Sequence, residues 1–360
     1  MSSGGQGSGR SKKRLPIWLL ILIDILGTCA ALGIFMFFHL ILPRSREQRN
    51  LENTVKPVVT VSVPDQGGFQ PEEPADPAEE MKDSWKFGHL TTDEIVITES
   101  GYSSHDIRID IQSFDEDEGV INSPYTVADI YVRDIHCLQS YFAGGKYIPT
   151  GHGEPILESM EKSGAILATN GDYYSMQLGS GVLRNGVLYR YPVADFDVLV
   201  LYEDGSVKIF PKKTIRTEAG WEEAFSNAWQ AWSFGPSLLD ESGKQYDDLR
   251  ANLFGVLANR NPRTGFGYFE PGHYCLVVVE GRSDTAPGAT IEEFASVFES
   301  LGCVQAYNLD GGGSSVMAFN GELLTDQSTD RKLPDIILVS EYLNSFAYQE
   351  SLNREMEVQP

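Results

Sequence analysis

The chain has 360 residues, of which 41% are hydrophobic and 22% charged, so it can bury a core in one large domain or two small ones. Its formal net charge of -23 argues against a nucleic-acid partner, because phosphate binding depends on clustered Lys and Arg. An acidic surface is ordinary for a soluble or extracytoplasmic protein and does not identify a partner.

The first element in chain order is the apolar run "LPIWLLILIDILGTCAALGIFMFFHLIL", residues 15–42. It exceeds the ~20 residues that a helix needs to cross a bilayer, and it is too long for the apolar core of a cleaved signal peptide. Basic residues flank it on both sides, so charge alone does not set its orientation. We expect a single-pass anchor in the lipid bilayer of the cell membrane, with residues 1–14 cytoplasmic and the bulk of the chain extracytoplasmic.

A proline-rich segment follows over residues 43–83, and its second half, "PEEPADPAEEMKD", is acidic. Large apolar side chains are scarce there, so it cannot bury enough surface to fold, and proline stiffens it into an extended spacer. Residues 84–345 are predicted to form the globular domain, and residues 346–360 a C-terminal tail. The spacer is expected to hold that domain away from the membrane.

Strand and turn signals alternate through the globular part. The stretches "HDIRIDIQSF" and "YTVADIYVRDI" have the period-two pattern of half-buried strands. Three dipeptides that accept the positive φ angles of tight turns predict hairpins, namely Asn185-Gly186, Asp204-Gly205 and Asn320-Gly321.

Two helices are predicted, one over residues 218–232 and one in "TIEEFASVFESLG", where Thr290 and Glu293 are spaced as a capping box. The apolar run "HYCLVVVEG" before the second helix is typical of a strand covered on both faces. With "VQAYNLD" after it, this helix completes a strand–helix–strand crossover. The predicted fold class is α+β, with mixed β-sheets, few helices and a single globular domain.

Metal and cofactor motifs are scarce. None of the four cysteines, Cys29, Cys137, Cys275 and Cys303, lies in a CxxC pair, and buried free thiols in the globular part are favoured over one disulfide. The six histidines form no HExxH motif, and neither a phosphate-loop motif nor a GxSxG elbow occurs. We predict no cofactor and no metal in the site, and leave a structural divalent cation open.

Glycine meets polar side chains at three strand ends: "ATNGDYY", "VVVEGRSD" and "NLDGGGSS". In sheets of this kind, ligands collect where strand ends meet loops. With an arginine from "NPRTGFG", the candidate residues are Asn170, Asp172, Arg263, Glu280, Arg282, Asn308, Asp310, Gly311, Gly312, Gly313, Ser314 and Ser315.

Each candidate has a structural alternative. The glycine run would let backbone amides converge on an anion, or it would make a tight strand connection in which Asp310 caps its own turn. Arg282 would hold a phosphate through forked hydrogen bonds, or form a salt bridge with Asp284 or Glu280. Asp172 would act chemically, or form an Asx turn. Carboxylates, arginines and a glycine–serine loop together suit acid/base cleavage of an acetal that carries a phosphate.

Five segments, "NGDYY", "GPSLL", "RTGFG", "VVVEGR" and "AYNLDGGGSS", occur in the order found in the phosphodiester glycosidase family, which the chain resembles over residues 85–341. The resemblance implies hydrolysis of a sugar-1-phosphodiester between the anomeric carbon and the phosphate oxygen. It places Arg263, Arg282 and the glycine–serine loop around a phosphorylated carbohydrate. The carboxylates that it offers for catalysis are Asp172, Glu280 and Asp310.

Two departures from the family pattern concern this site. Glu280 stands where the family usually has aspartate, and Gly265 stands where it usually has alanine. The longer acid moves its carboxylate by about one methylene, which weakens a catalytic role for Glu280. A non-catalytic surface module that binds phosphorylated glycopolymers is therefore the competing hypothesis.

Overall fold

The structure is a computed structural model, and its described residues are 85–116, 118–193, 196–249 and 258–341. The predicted cytoplasmic tail, membrane anchor, spacer and C-terminal tail lie outside these residues, as does Cys29. Within the described ranges, no helix has the length and apolar character needed to cross a membrane.

The described strands form three sheets. The first sheet has seven strands, in the spatial order β1-β2-β3-β4-β13-β12-β14. Their bounds are β1 Val96–Thr98, β2 Gly101–Ser103, β3 Ile107–Phe114, β4 Tyr125–Val132, β12 Arg263–Glu270, β13 His273–Val279 and β14 Gln305–Asn308.

The other two sheets have five strands each. The second has the order β10-β9-β11-β7-β8, with β7 Val182–Arg184, β8 Val187–Arg190, β9 Asp197–Tyr202, β10 Val207–Phe210 and β11 Ala228–Phe234. The third has the order β16-β15-β6-β17-β5, with β5 Leu138–Phe142, β6 Leu167–Asn170, β15 Met317–Phe319, β16 Glu322–Leu323 and β17 Asp335–Val339.

Three α-helices occur in the described part, α1 (Ile156–Ser163), α2 (Glu218–Ala224) and α3 (Ile291–Leu301). The α+β class with few helices is confirmed. The crossover from β13 through α3 returns to β14, but β12 lies between the two strands and is antiparallel to both. For this reason the crossover creates no parallel pair, and the paired strands among the described residues are all antiparallel.

One central core joins the three sheets, and each helix covers the outer face of one sheet. In β17, Ile337 faces the central core while Ile336 packs beneath α1. Similarly, Leu276 of β13 faces inward and Val277 packs beneath α3. Because successive strand residues point to opposite faces, two covered faces produce continuous apolar runs, as "HYCLVVV" predicts.

The prediction of a helix over residues 218–232 is correct for its first half and wrong beyond it. Helix α2 ends at Ala224, and Ala228 begins a strand that pairs with β9 and β7. In that strand Ala231 packs under α2 whereas Trp232 enters the central core, which is the alternation of a strand. The composition of residues 228–234 also suits a helix. They form a strand because packing on both faces of the sheet favours the strand conformation.

The three predicted hairpins are confirmed, since their turns join β7 to β8, β9 to β10 and β15 to β16. The predicted absence of a disulfide in the globular part is also confirmed, because Cys137, Cys275 and Cys303 are buried and form no disulfide with one another. Cys275 Sγ and Cys303 Sγ lie 3.7 Å apart, well beyond a disulfide bond length.

The predicted capping box starts α3. Thr290 Oγ1 accepts from the Glu293 amide at 3.2 Å, and the Glu293 carboxylate accepts from the Thr290 amide at 2.9 Å. We expect Thr290→Ala to lower the free energy of unfolding in urea by about 1–2 kcal/mol, since it leaves a helix amide without its partner. Ser300→Ala, on the same helix, is the matched control and is expected to change it by less than about 0.5 kcal/mol. Equal effects of the two substitutions would contradict the capping role.

Candidate active site

The strand register brings three chain segments to one edge of the first sheet. Arg263 at the start of β12 lies opposite Val279 at the end of β13, and Gly265 lies opposite Asn308 at the end of β14. The loops after β13 and β14 therefore leave the sheet side by side. Arg282 follows the first of these ends and Asp310 the second.

The glycine–serine loop, Gly311–Ser315, owes its composition to close packing. Gly312 has a φ of 66°, in the left-handed region, and a Cβ there would lie 2.7 Å from Arg282 Nη2. A Cβ at Gly313 would lie 2.4 Å from Thr329 Oγ1. These glycines let the Arg282 guanidinium and the Thr329 side chain approach the loop backbone.

Four of the five loop amides have acceptors within the protein, contrary to the expectation that the loop amides converge on an anion. The Gly311 amide donates to Asp310 Oδ1 and the Gly312 amide to Pro262 O, at 2.9 and 2.8 Å. The amides of Ser314 and Ser315 donate to carbonyls of the loop itself. Anion binding at this edge therefore falls mainly to side chains.

Asp310 is the titratable group at the centre of this edge. Its side chain is buried, and burial raises the pKa of the carboxyl to about 6. The hydrogen bond with Ser314 and the positive charge of Arg331 work in the opposite direction and favour the ionised form. The result is a carboxyl that is mostly ionised at neutral pH and can still take up a proton.

Two guanidinium groups lie near Asp310. Arg282 Nη2 donates to Asn261 Oδ1 at 3.1 Å, whereas Arg282 Nη1 is buried and has no hydrogen-bond partner among the described residues. Arg331 Nη1 donates to Ser314 Oγ at 3.3 Å. Burial lowers the pKa of Arg282 and the charge of Arg331 lowers it further, while Asp310 raises it. This is the local environment expected where a second anion would bind.

Arg331 and Tyr173 belong to this site, and the sequence analysis did not single them out as site residues. The Arg331 guanidinium lies 5.8 Å from the centre of the Tyr173 ring. Tyr173 has a φ of 68°, an unusual backbone conformation for a residue other than glycine, directly after Asp172. Tyr173 is part of the quoted "NGDYY", whereas Arg331 lies in a polar loop segment with no motif to mark it.

Asp172 lies in a fully buried ion pair. Its Oδ1 accepts from Arg184 Nη2 and its Oδ2 from the Ser233 amide, both at 2.8 Å. The same Arg184 nitrogen donates to Asp335 Oδ2 at 2.9 Å. Burial raises the pKa of Asp335 to about 7, and the charge of Arg184 opposes this rise. We call Asp172, Arg184 and Asp335 the buried triad; Arg184 and the Ser233 amide together engage both Asp172 oxygens.

Asn170 and Asn308 tie the site together. Asn170 Nδ2 donates to Asp310 O at 2.8 Å, and its Oδ1 accepts from Thr264 Oγ1 at 2.8 Å, which links the third sheet to the first. Asn308 Nδ2 donates to Gly235 O at 2.8 Å, in the "GPSLL" segment. The two asparagines therefore fix the backbone around Asp310.

Comparison with protein-family models finds a match over part of this domain. Residues 163–340 match the phosphodiester glycosidase family. The resemblance seen in the sequence is thereby confirmed for that part of the chain. All of the candidate residues from Asn170 to Ser315, and also Arg184, Arg331 and Asp335, lie inside the matched range.

Two relatives extend this result. The SPbeta prophage-derived protein YomE of Bacillus subtilis is 26% identical over 228 residues, which is 60% of this chain and 33% of YomE. The chain thus spans about a third of the length of this curated relative. The zebrafish N-acetylglucosamine-1-phosphodiester α-N-acetylglucosaminidase catalytic domain, auto-inhibited by its pro-peptide, superposes with a TM-score of 0.52 at 19% identity. That similarity covers 69% of this chain and 88% of the zebrafish chain, and it establishes a common fold.

The remaining two candidates, Glu280 and Arg263, have structural contacts. Glu280 Oε1 accepts from the Asp326 amide at 2.9 Å. Arg263 donates from Nε to Ala289 O at 3.1 Å and from Nη2 to Asn259 O at 2.9 Å. Burial lowers the pKa of Arg263 to about 10. Arg282 and Asp310 are therefore the predicted residues that the structure brings together with a nearby cation and hydroxyl.

The covering segment over residues 325–331 closes the glycine–serine loop from outside. Thr329 Oγ1 donates to Gly313 O at 3.1 Å, and Gln327 Nε2 donates to the same carbonyl at 3.2 Å. These bonds hold Arg331 beside Ser314. In the part of the chain that the structure describes, no group of three or more His, Cys, Asp or Glu side chains is placed to hold a metal ion.

Proposed function

We propose that this domain hydrolyses a sugar-1-phosphodiester between the anomeric carbon and the phosphate oxygen. The observation that carries the proposal is the Asp310 carboxyl, which is hydrogen-bonded to the Ser314 hydroxyl and lies near the guanidinium groups of Arg282 and Arg331. The family match over residues 163–340 supports the same reaction. The products would be the free sugar and a phosphomonoester.

The chemistry of this substrate explains why two cations and one carboxylate suffice. A phosphodiester carries one negative charge, and cleavage of its sugar C–O bond leaves the departing phosphoryl group with two. Arg282 and Arg331 stabilise this added charge, which develops in the transition state. Because phosphate leaves readily, little general-acid help is needed, in contrast to an alcohol leaving group.

Asp310 would supply the second requirement. Its ionised carboxylate takes a proton from the water that attacks the anomeric carbon, or attacks that carbon itself before water releases the sugar. A pKa of about 6 leaves it mostly ionised at pH 7 and basic enough to accept a proton. Asp172 is a weaker candidate, since its two oxygens are engaged by Arg184 of the buried triad and by the Ser233 amide.

The sequence supports a cellular setting for this reaction. An apolar run over residues 15–42 and a proline-rich spacer suit a domain tethered outside the cell membrane. The substrate would then be a phosphorylated carbohydrate of the cell surface, such as a polysaccharide or glycoconjugate.

Substitution of the two arginines tests the proposal. Arg282→Gln and Arg331→Gln are each expected to lower kcat/KM for glycosyl-1-phosphate methyl diesters about 100-fold, since each removes a donor to the developing charge. The activity is measured as sugar release from a panel of such diesters. Arg108→Gln, a surface arginine paired with Asp110, is the control and should keep the wild-type rate.

Two results would count against a hydrolase. Wild-type rates in both arginine variants would exclude these groups from the reaction. Saturable binding of the diesters without any turnover would instead support a surface module that holds phosphorylated glycopolymers. The engagement of Glu280 with a backbone amide would then agree with a site that has lost catalysis.

A further inference from the structure

An apolar surface lies on the loop that leads away from Tyr173. Met176 and Leu178 are 67% and 57% exposed, and Val193 is 83% exposed. The Val193 amide donates to Gly179 O at 2.9 Å, which brings Val193 next to the residue that follows Leu178. We call Met176, Leu178 and Val193 the apolar shelf. Single exposed apolar residues are ordinary, but a group of three beside a polar site is typical of a binding surface.

A partly buried arginine fixes the loop that carries this shelf. Arg190 donates to the carbonyls of Tyr174, Gln177 and Ser180, at distances between 2.7 and 3.1 Å. Tyr174 is itself buried against Phe142. The loop is therefore held in one conformation, and the exposure of its apolar side chains is not the result of a loosely packed segment.

The shelf continues directly from the charged site. The Met176 amide donates to Tyr173 O at 3.1 Å, so a single turn separates Met176 from Tyr173, whose ring faces Arg331. Passing outward along the chain, the surface changes from a carboxyl and two guanidinium groups to an aromatic ring and then to three apolar side chains. A ligand that matches this order has a phosphoryl group attached to an apolar chain.

We propose that the non-sugar half of the phosphodiester substrate is a long apolar chain that lies on the apolar shelf. This inference rests on the proposed function, since it assigns the phosphoryl group to Arg282 and Arg331. The sugar would lie at Asp310 and the chain would pass Tyr173 to reach Met176, Leu178 and Val193. The flexible thioether of Met176 suits contact with chains of variable shape.

Two diesters that differ only in the alcohol test the proposal. Methyl and dodecyl diesters of the same glycosyl-1-phosphate are compared below the micelle concentration, with the sugar that gives the highest methyl rate. Wild-type protein is expected to show a kcat/KM at least ten times higher for the dodecyl diester. A triple variant should bring the ratio of dodecyl to methyl kcat/KM to within about twofold of one. It combines Met176→Ser, Leu178→Ser and Val193→Ser. Val304 is an exposed residue that precedes β14, and Val304→Ser is the control, which should keep the wild-type ratio.

The outcomes separate this proposal from the proposed hydrolysis. An active enzyme with no preference between the two diesters overturns the proposal of an apolar chain and leaves the proposed hydrolysis intact.

If neither diester turns over, the proposed hydrolysis is wrong. Binding of dodecyl phosphate and ethyl phosphate, measured by calorimetry, then tests whether the apolar shelf holds an apolar chain. Tighter dodecyl phosphate binding, lost in the combined variant, supports it, and equal affinities overturn it. Equally tight binding to phosphatidylcholine vesicles that contain no sugar-1-phosphodiester also overturns it, in favour of a membrane contact. If the combined variant does not fold, Leu178→Ser alone must reduce the ratio at least twofold.

Discussion

Replacing Asp310 with asparagine is expected to lower kcat/KM for a sugar-1-phosphodiester by at least about 100-fold at pH 7, because the amide can neither take a proton nor attack carbon. Asp240→Asn, at a surface turn, is the matched control and should change the rate less than twofold. Sugar release under single-turnover conditions measures the chemical step for both variants. A loss of less than tenfold in Asp310→Asn would remove this residue from the reaction.

The pH dependence follows from the raised pKa of the Asp310 carboxyl. Only the ionised form acts as base or nucleophile, so wild-type kcat/KM should rise tenfold per pH unit below about pH 6 and level off above it. A rate that falls above pH 6 would instead make Asp310 the acid.

Ionisation of the Asp310 carboxyl, which is needed for activity, is expected to lower the stability of the fold. Its pKa rises from 3.8 in the unfolded chain to about 6 in the folded chain, so the fold favours the protonated form. Its contribution to stability is fully present below about pH 4 and is lost as the pH rises through 6. Asp310→Asn is therefore expected to be more stable than wild type at pH 8, by at most about 3 kcal/mol. Urea unfolding of both proteins at pH 4 and pH 8 tests the sign of this stability difference. If the ionised Asp310 carboxylate instead stabilised the fold, Asp310→Asn would be less stable than wild type at pH 8.

The second large effect is expected in the buried triad. Arg184→Met leaves Asp172 and Asp335 buried without a cation, and we expect the free energy of unfolding to fall by about 3–5 kcal/mol at pH 7. The loss should become smaller as the pH is lowered, because protonation removes the uncompensated charge. Arg108→Met, which breaks a partly exposed ion pair, is the control and should cost less than about 1 kcal/mol.

Chemical denaturation of the two variants at pH 5 and pH 7 distinguishes these expectations. A stability of Arg184→Met equal to that of Arg108→Met would mean that the triad stabilises the fold no more than a surface pair does. Such a result is compatible with methionine filling the space of the arginine, provided that both aspartates become protonated.

Much of the candidate site could be predicted because its signals are local. "NLDGGGSS" and "VVVEGRSD" each place a charged residue one or two positions after an apolar strand, where a chain must turn. Arg331, Arg184 and Asp335 carried no such signal. Arg331 reaches the site only because the covering segment folds over the glycine–serine loop, and Arg184 meets Asp335 across 151 residues of chain.

The role of each candidate also depended on its partners. Asp172 and Asp310 both follow a strand and an asparagine-containing segment, and the sequence offers no reason to prefer either. In the fold, Arg184 and the Ser233 amide occupy the Asp172 oxygens, whereas Asp310 lies beside two arginines and a serine. Hydrogen-bond partners that are distant in sequence made this distinction.

By itself, the sequence determined the hairpin turns, the capped helix α3 and the covered strand β13, because each depends on residues within about a dozen positions. It also carried the phosphodiester glycosidase resemblance, which rests on the order of five short segments along the chain. Only the tertiary structure decided that residues 228–234 form a strand, that four of the five loop amides are occupied and that Arg331 lies near Asp310. The physical reason is that burial and pairing depend on which surfaces meet, and a buried group takes its pKa and its role from neighbours that the chain order does not place beside it.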